Sequence, residues 1–197
     1  MFALFMECIK TYHEEDSVDS ILKNPLKKSS LEAKIYHKNW IDTVQWHLED
    51  IIRDPQIKPE LALKIKRRID ASNQQRTDLV EQIDDIYMEQ FSKIDVQHDA
   101  RLNTESIAWA IDRLSILALK IYHMQLEAGR LDIAPALKEK NALKAQVLEE
   151  QKQDLCLSID QLLDDIESGK RTVKVYRQMK MYNDPELNPV LYQQKSE

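Results

Sequence analysis

Gly129 and Gly169 are the only glycines in this chain of 197 residues, against an ordinary usage of roughly 7%. Glycine supplies the positive-φ turns of sheet proteins and the phosphate-cradling loops of Rossmann and P-loop folds. A chain with almost none must turn seldom. Proline marks where it turns: the six prolines stand at 25, 55, 59, 135, 185 and 189, and the long intervals between them carry apolar residues at helical rather than strand spacing. With 31% charged and 43% hydrophobic residues, the chain has apolar surface for a core and polar surface for water. The expected fold class is all-α.

Five helices are expected. The first covers about residues 2–22 and ends near Asn24-Pro25. The second opens at a capping box, Ser29 with Glu32, and runs to Asp54. Pro59 suits the first turn of the third, which continues to about Lys93. The fourth starts with Asn103-Thr104 as cap and Glu105 in its first turn, and stops at Gly129. The fifth opens across Asp132 to Pro135 and ends with Gly169 just past its last turn. The last three span roughly 40 to 52 Å each at 1.5 Å per residue. Short links make sequential helices run up and down, so the expectation is an elongated antiparallel four- to five-helix bundle without β-sheet.

The bundle domain is placed at residues 1–169, with 170–197 as a basic, tyrosine-containing C-terminal segment of the same domain. That segment holds six basic and three acidic residues, whereas the rest holds 22 and 31. Opposed charge suggests a tail folded back on an acidic body, with Tyr176, Tyr182, Leu187 and Tyr192 as anchors. Lys174, Arg177 and Lys180 could instead contact a partner or an anion. The opening apolar run Phe2 to Met6 is too short for a signal-peptide core or a membrane span, so the expected location is cytoplasmic. Cys8 and Cys156 carry no metal or redox spacing and read as idle thiols.

Polar residues interrupt the apolar stripes of three helices. On the third helix the seam Ile65, Ile69, Ser72, Arg76, Leu79, Ile83, Ile86 contains an arginine, which must be paired with a carboxylate such as Asp112 or Glu105, or with an anionic ligand. The adjacent seam contributes Asn73 and Asp84. The fourth helix is apolar nearly all round and reads as central, so its polar side chains matter most: Glu105, Trp109, Asp112, Arg113, Lys120 and His123. The second helix adds Asn39, Trp40, Asp42 and His47, with Trp46 beside them. An ion-pair network that fixes helix register explains these residues, and so does an interhelical pocket in which Arg76, Arg113, Lys120 and His123 meet an anionic ligand. Asn39, Trp40, Asp42, His47, Asn73, Asp84, Asn103, Glu105, Trp109 and Asp112 would line it.

Catalytic signatures are absent. There is no Glu-x-x-His, no GxSxG and no Walker A sequence, and the His123–Glu127 pair is a weak metal motif on a charged helix. Neither a metal nor a cofactor is expected, and no catalytic residue is assigned. A net charge of -6 argues against nucleic acid.

The segments KIYHKNWIDTVQWHLEDIIRDP (34–55), RRIDASNQQRTDLVEQID (67–84), LNTESIAWAIDRLSILALKIYHM (102–124) and VYRQMKMYNDPELNPVLY (175–192) resemble a bacterial all-helical family known only as a domain of unknown function. Ile107 stands where that family has proline, which bears on the helix start. DRLSILALK (112–120) is similar to a phrase of another helical family that accompanies glycosyltransferases. The resemblance implies an association with envelope polysaccharide or lipopolysaccharide biosynthesis. Two functions follow as expectations. One is an accessory protein that docks on a glycosyltransferase or another envelope-biosynthesis enzyme through its basic tail. The other is an enzyme or binder of a small phosphorylated or carboxylated ligand in an interhelical pocket.

Overall fold

The structure is a computed structural model that describes residues 1–178, 181 and 184–193. It is an all-α bundle: α1 (Phe2–His13), α2 (Leu31–Ile52), α3 (Pro59–Gln90), β1 (Arg101–Asn103), α4 (Ile107–Gly129), α5 (Pro135–Glu167), β2 (Arg171–Val173) and the short α6 (Pro189–Tyr192). No helix among the described residues is long and apolar enough to cross a membrane.

α4 is the central helix, touching α1, α2, α3 and α5. Its apolar positions wrap most of the circumference, leaving one stripe through Arg113 and Lys120 open, and Ile107, Ile111, Leu114, Leu119 and Ile121 are all buried against Phe5 and Ile9 of α1, Ile35 of α2, Val80 and Ile83 of α3, and Ile159 and Leu162 of α5. A helix apolar over most of its surface has no stable place at the outside of a bundle, so the others pack around it. The N-terminal half of α5 reaches this core through the partly buried Leu148, and the buried side chains of α5 before Ile159 reduce to Asn141.

Helix starts differ from the sequence expectation by small, explicable amounts. Ser30, not Ser29, caps α2, accepting from the Ala33 N–H at 3.1 Å. Ser106 rather than Asn103 or Thr104 caps α4, accepting from the Trp109 N–H at 3.3 Å. Ser106 in turn donates to Asp84 on α3 at 2.7 Å, and the same carboxylate accepts from the Ala108 N–H at 3.0 Å. Two buried donors at the start of α4 are thereby satisfied by a neighbouring helix, a capping that local sequence rules do not detect.

Three expectations are corrected. The first helix ends at His13, not near residue 22, because Asp16 turns the chain at a φ of 48° and Ser17 captures the Asp19 N–H, local bonds that compete with helix continuation. The connection that follows packs Val18 and Leu22 beside α2 and α3. Second, a two-stranded parallel sheet exists: β1 pairs with β2 from Arg101 opposite Arg171 to Asn103 opposite Val173. The pairing depends on Gly169, at φ 71°, where an added Cβ would lie 2.3 Å from the Asp95 carbonyl oxygen. Only glycine permits that approach, and the Gln97 N–H then donates to the Gly169 carbonyl at 2.9 Å. Third, among the described residues the tail is anchored by charge rather than by tyrosine. Tyr176, Leu187 and Tyr192 are exposed, while Arg177 binds Asp85 at 2.5 Å and Glu81 at 3.3 Å on α3. Tyr182 and Lys180 lie outside the described residues.

Candidate functional site

Where α2, α3 and α4 meet, three buried charges, Lys38, Asp42 and Asp112, are joined by Arg76, whose side chain is 25% exposed. Lys38 of α2, only 1% exposed, bridges Asp42 at 2.5 Å and Asp112 at 2.6 Å. Arg76 of α3 holds Asp112 with both ends of its fork, Nε to Oδ1 at 3.0 Å and Nη2 to Oδ2 at 2.7 Å, and stands 3.1 Å from Asp42. Ser115 donates to Asp42 at 2.5 Å and accepts from Asn39 at 2.8 Å. Two cations against two carboxylates leave the cluster neutral, which is how buried charge is tolerated. The carboxyls differ nevertheless. Burial pushes Asp42 up, in spite of Lys38 and Arg76. Burial would do the same to Asp112, but Lys38 and Arg76 outweigh it and hold Asp112 below the ordinary carboxylate range. The partnership foreseen for Arg76 is therefore present. Lys38 and Ser115 give no sign of this role in the sequence, because a lysine and a serine inside amphipathic helices look like ordinary surface residues until the helix faces are known.

Two clefts flank this network and share Ile116. One, of about 440 Å³, is lined by Asp42, Gln45, Trp46, Arg53 and Arg76. The other, about 820 Å³ between α4 and α5, is lined by Asp112, Arg113 and Lys120 from one side and Gln151, Asp154, Ser158 and Gln161 from the other. Leu117, Leu155, Ile159 and Leu162 supply its apolar floor, and Asn103, Glu105 and Arg171 line one end. There Arg113 contacts Glu105 at 3.2 Å, and Arg171 donates to Asn103 at 3.0 Å. Lys120 makes no ion pair among the described residues.

The expected four-cation pocket does not form. Arg76 belongs to the smaller cleft, Arg113 and Lys120 to the larger, and His123 to neither. Lys174 is exposed, and Arg177 is engaged on α3. Of the expected lining residues, Asp84 caps α4, Trp40 is buried against Cys8, Tyr12 and Tyr36, Asn73 accepts from Gln45 at 2.9 Å, and Trp109 packs against the main core.

His123 and His47 instead meet His13 at the end of α1. One ring nitrogen of each lies within 4.8 Å of those of the other two. Burial, with the neighbouring imidazoles, draws His123 down to about 4 and lowers His47 as well. Aromatic rings enclose the three: Trp46 stacks on His123 at 4.7 Å, Tyr12 on His47 at 5.2 Å, and Tyr122 leans on His13 at 4.5 Å. No ligand spacing in the sequence announces the cluster, because its members come from three helices.

No curated protein and no solved structure matches this chain at a significant level. A family model does match, over residues 32–175, which include the four-charge network and both clefts' α2 to α5 walls. The chain belongs to the family described as Protein of unknown function (DUF4254).

Proposed function

We propose that the protein binds a small phosphorylated, hydroxyl-rich ligand in the cleft between α4 and α5. The observation that carries this reading is the polarity of the lining. Lys120 stands on the α4 wall without an ion pair among the described residues, beside Arg113, whose side chain is 64% exposed and shares its charge with Glu105 at the rim, and carboxylate, hydroxyl and amide groups stand opposite on α5 as Asp154, Ser158, Gln151 and Gln161. A guanidinium fork and an ammonium suit a phosphate, and the facing acceptors and donors suit sugar hydroxyls. The volume of about 820 Å³ accommodates a sugar phosphate or sugar nucleotide. Such compounds are the currency of envelope polysaccharide biosynthesis, the setting that the sequence resemblance implies. Arg76 is not the anion contact in this reading, since its charge is consumed by Asp112 and Asp42.

A thermal-shift panel of hexose phosphates and sugar nucleotides tests it. A ligand at a hundred times its dissociation constant stabilises by about 2.7 kcal/mol. Stabilisation that disappears in the Arg113→Ala, Lys120→Ala double variant supports the reading, and a flat response across the panel contradicts it.

Docking on a protein partner is a second reading with its own observation. Leu126, Leu131, Leu137, Leu143 and Val147 stand exposed on the end of α4, the turn after it and the first half of α5. Exposed apolar surface gathered at one end of a molecule is typical of contact faces. Envelope-biosynthesis enzymes such as glycosyltransferases are the partners that the resemblance implies. Loss of complex formation with such an enzyme in Leu143→Lys, with cleft variants unaffected, would assign the function to that face.

A further inference from the structure

We propose that His13, His47, His123 and Asp16 form a tetrahedral site for a divalent transition metal of zinc type, which clamps α1 onto α2 and α4. This goes beyond the ligand reading, since none of the four residues lines the α4–α5 cleft.

The imidazoles are already arranged as ligands. His13 Nδ1 lies 2.7 Å from the Ile9 carbonyl oxygen, a contact that only a protonated Nδ1 can make favourably. Its Nε2 therefore carries a lone pair, and it points at His47 Nε2 only 3.2 Å away. Zinc–nitrogen bonds of about 2.0 to 2.1 Å in tetrahedral geometry place ligand nitrogens about 3.3 Å apart. The His13–His47 separation is thus one edge of such a tetrahedron. His123 supplies a third nitrogen: its Nε2 is buried with no hydrogen-bond partner among the described residues. A buried ring nitrogen left without a partner is costly, and a metal would satisfy it.

The fourth ligand comes from the turn after α1. Asp16 adopts φ 48°, a left-handed conformation uncommon outside glycine. It brings its Oδ1 to 3.9 Å from both His13 Nε2 and His47 Nε2. Its side chain is 62% exposed, so it has the freedom to swing inward and join the three imidazoles, whose own ligand atoms lie within 4.8 Å of one another. One carboxylate with three neutral imidazoles is a donor set suited to zinc, and the protonated ring contact of His13 is the outer hydrogen bond that commonly orients a ligating histidine. Stacking by Trp46, Tyr12 and Tyr122 fixes the ring planes. With four protein ligands the site is closed, the form that serves structure.

The test uses full-length protein freed of metal by a chelator and titrated with Co²⁺, whose visible absorption is intense only in tetrahedral surroundings. Saturation at one equivalent, bleaching by Zn²⁺, and a rise in Tm on adding Zn²⁺ are expected. His123→Gln should remove the band while keeping the helical circular dichroism, and Asp16→Asn, on an exposed turn, should weaken Co²⁺ binding. His98→Gln, remote in the sequence and exposed, should leave the titration unchanged. Absence of a tetrahedral spectrum in the unmutated protein, or a band that survives both His123→Gln and His13→Gln, would overturn the proposal and leave a hydrogen-bonded histidine pair in its place.

Discussion

The guanidinium of Arg76 on α3 and the carboxylate of Asp112 on α4 are joined by two parallel hydrogen bonds, of 3.0 and 2.7 Å, across the middle of the bundle. Lys38 reaches the same carboxylate from α2, so three helices are registered at one point. Removing Arg76 leaves two buried carboxylates to share Lys38, one negative charge in excess, at about 3 to 5 kcal/mol. Arg76→Ala should therefore lower the free energy of urea unfolding by about that amount. A loss below about 0.5 kcal/mol would mean that the side chain is solvated.

Metal-free protein should lose stability as the pH falls from about 6.5 towards about 4. His123 has its folded-state value drawn from 6.5 to about 4, so between those values the unfolded chain binds more protons than the folded one, and acidification favours unfolding. His47 is shifted in the same direction. Tm followed from pH 7 to pH 4 after chelation should decline, and the decline should be shallower in His123→Gln. Identical slopes in the two proteins would show that the imidazole is solvated.

These two sites differ in how far the sequence announces them. Arg76 interrupts an apolar seam that runs from Ile65 to Ile83, and seam periodicity both exposes the anomaly and requires a carboxylate. The same reasoning identifies α4 as central. His13 offers no such signal: it sits at the end of a helix expected to continue to residue 22, and its neighbours in space are 34 and 110 positions away. The sheet is equally silent in sequence, since three residues on either side pair only because Gly169 lets α5 end against Asp95. Local patterns define faces and caps, whereas contacts between the ends of distant helices arise only once those faces are packed.

Gly169→Ala should destabilise the protein by more than about 1 kcal/mol, because alanine is strained at a positive φ and its methyl group would strike the Asp95 carbonyl. Thermal unfolding checks the magnitude, and hydrogen exchange should quicken at the amides of Gln97 and Arg101, which donate to Gly169 and Lys170. Unchanged exchange there would separate the glycine from the sheet.

Arg177→Ala should free the segment after β2 from α3 without unfolding the bundle, since Arg177 is exposed and its contacts with Glu81 and Asp85 lie on the surface. Limited proteolysis should then cut between residues 174 and 178 faster than in the unmutated protein, while Tm stays the same. Equal cleavage rates would mean that other contacts retain the segment.

The central claim is that the α4–α5 cleft holds a phosphorylated, hydroxyl-rich ligand, and calorimetric titration with a hexose phosphate and a sugar nucleotide tests it most directly. The account predicts saturable binding at one site per chain, weakened at least tenfold in Lys120→Ala and in Ser158→Ala, and unchanged in Leu143→Lys on the outer half of α5. No measurable heat with either compound, or binding that is indifferent to Lys120, would contradict it.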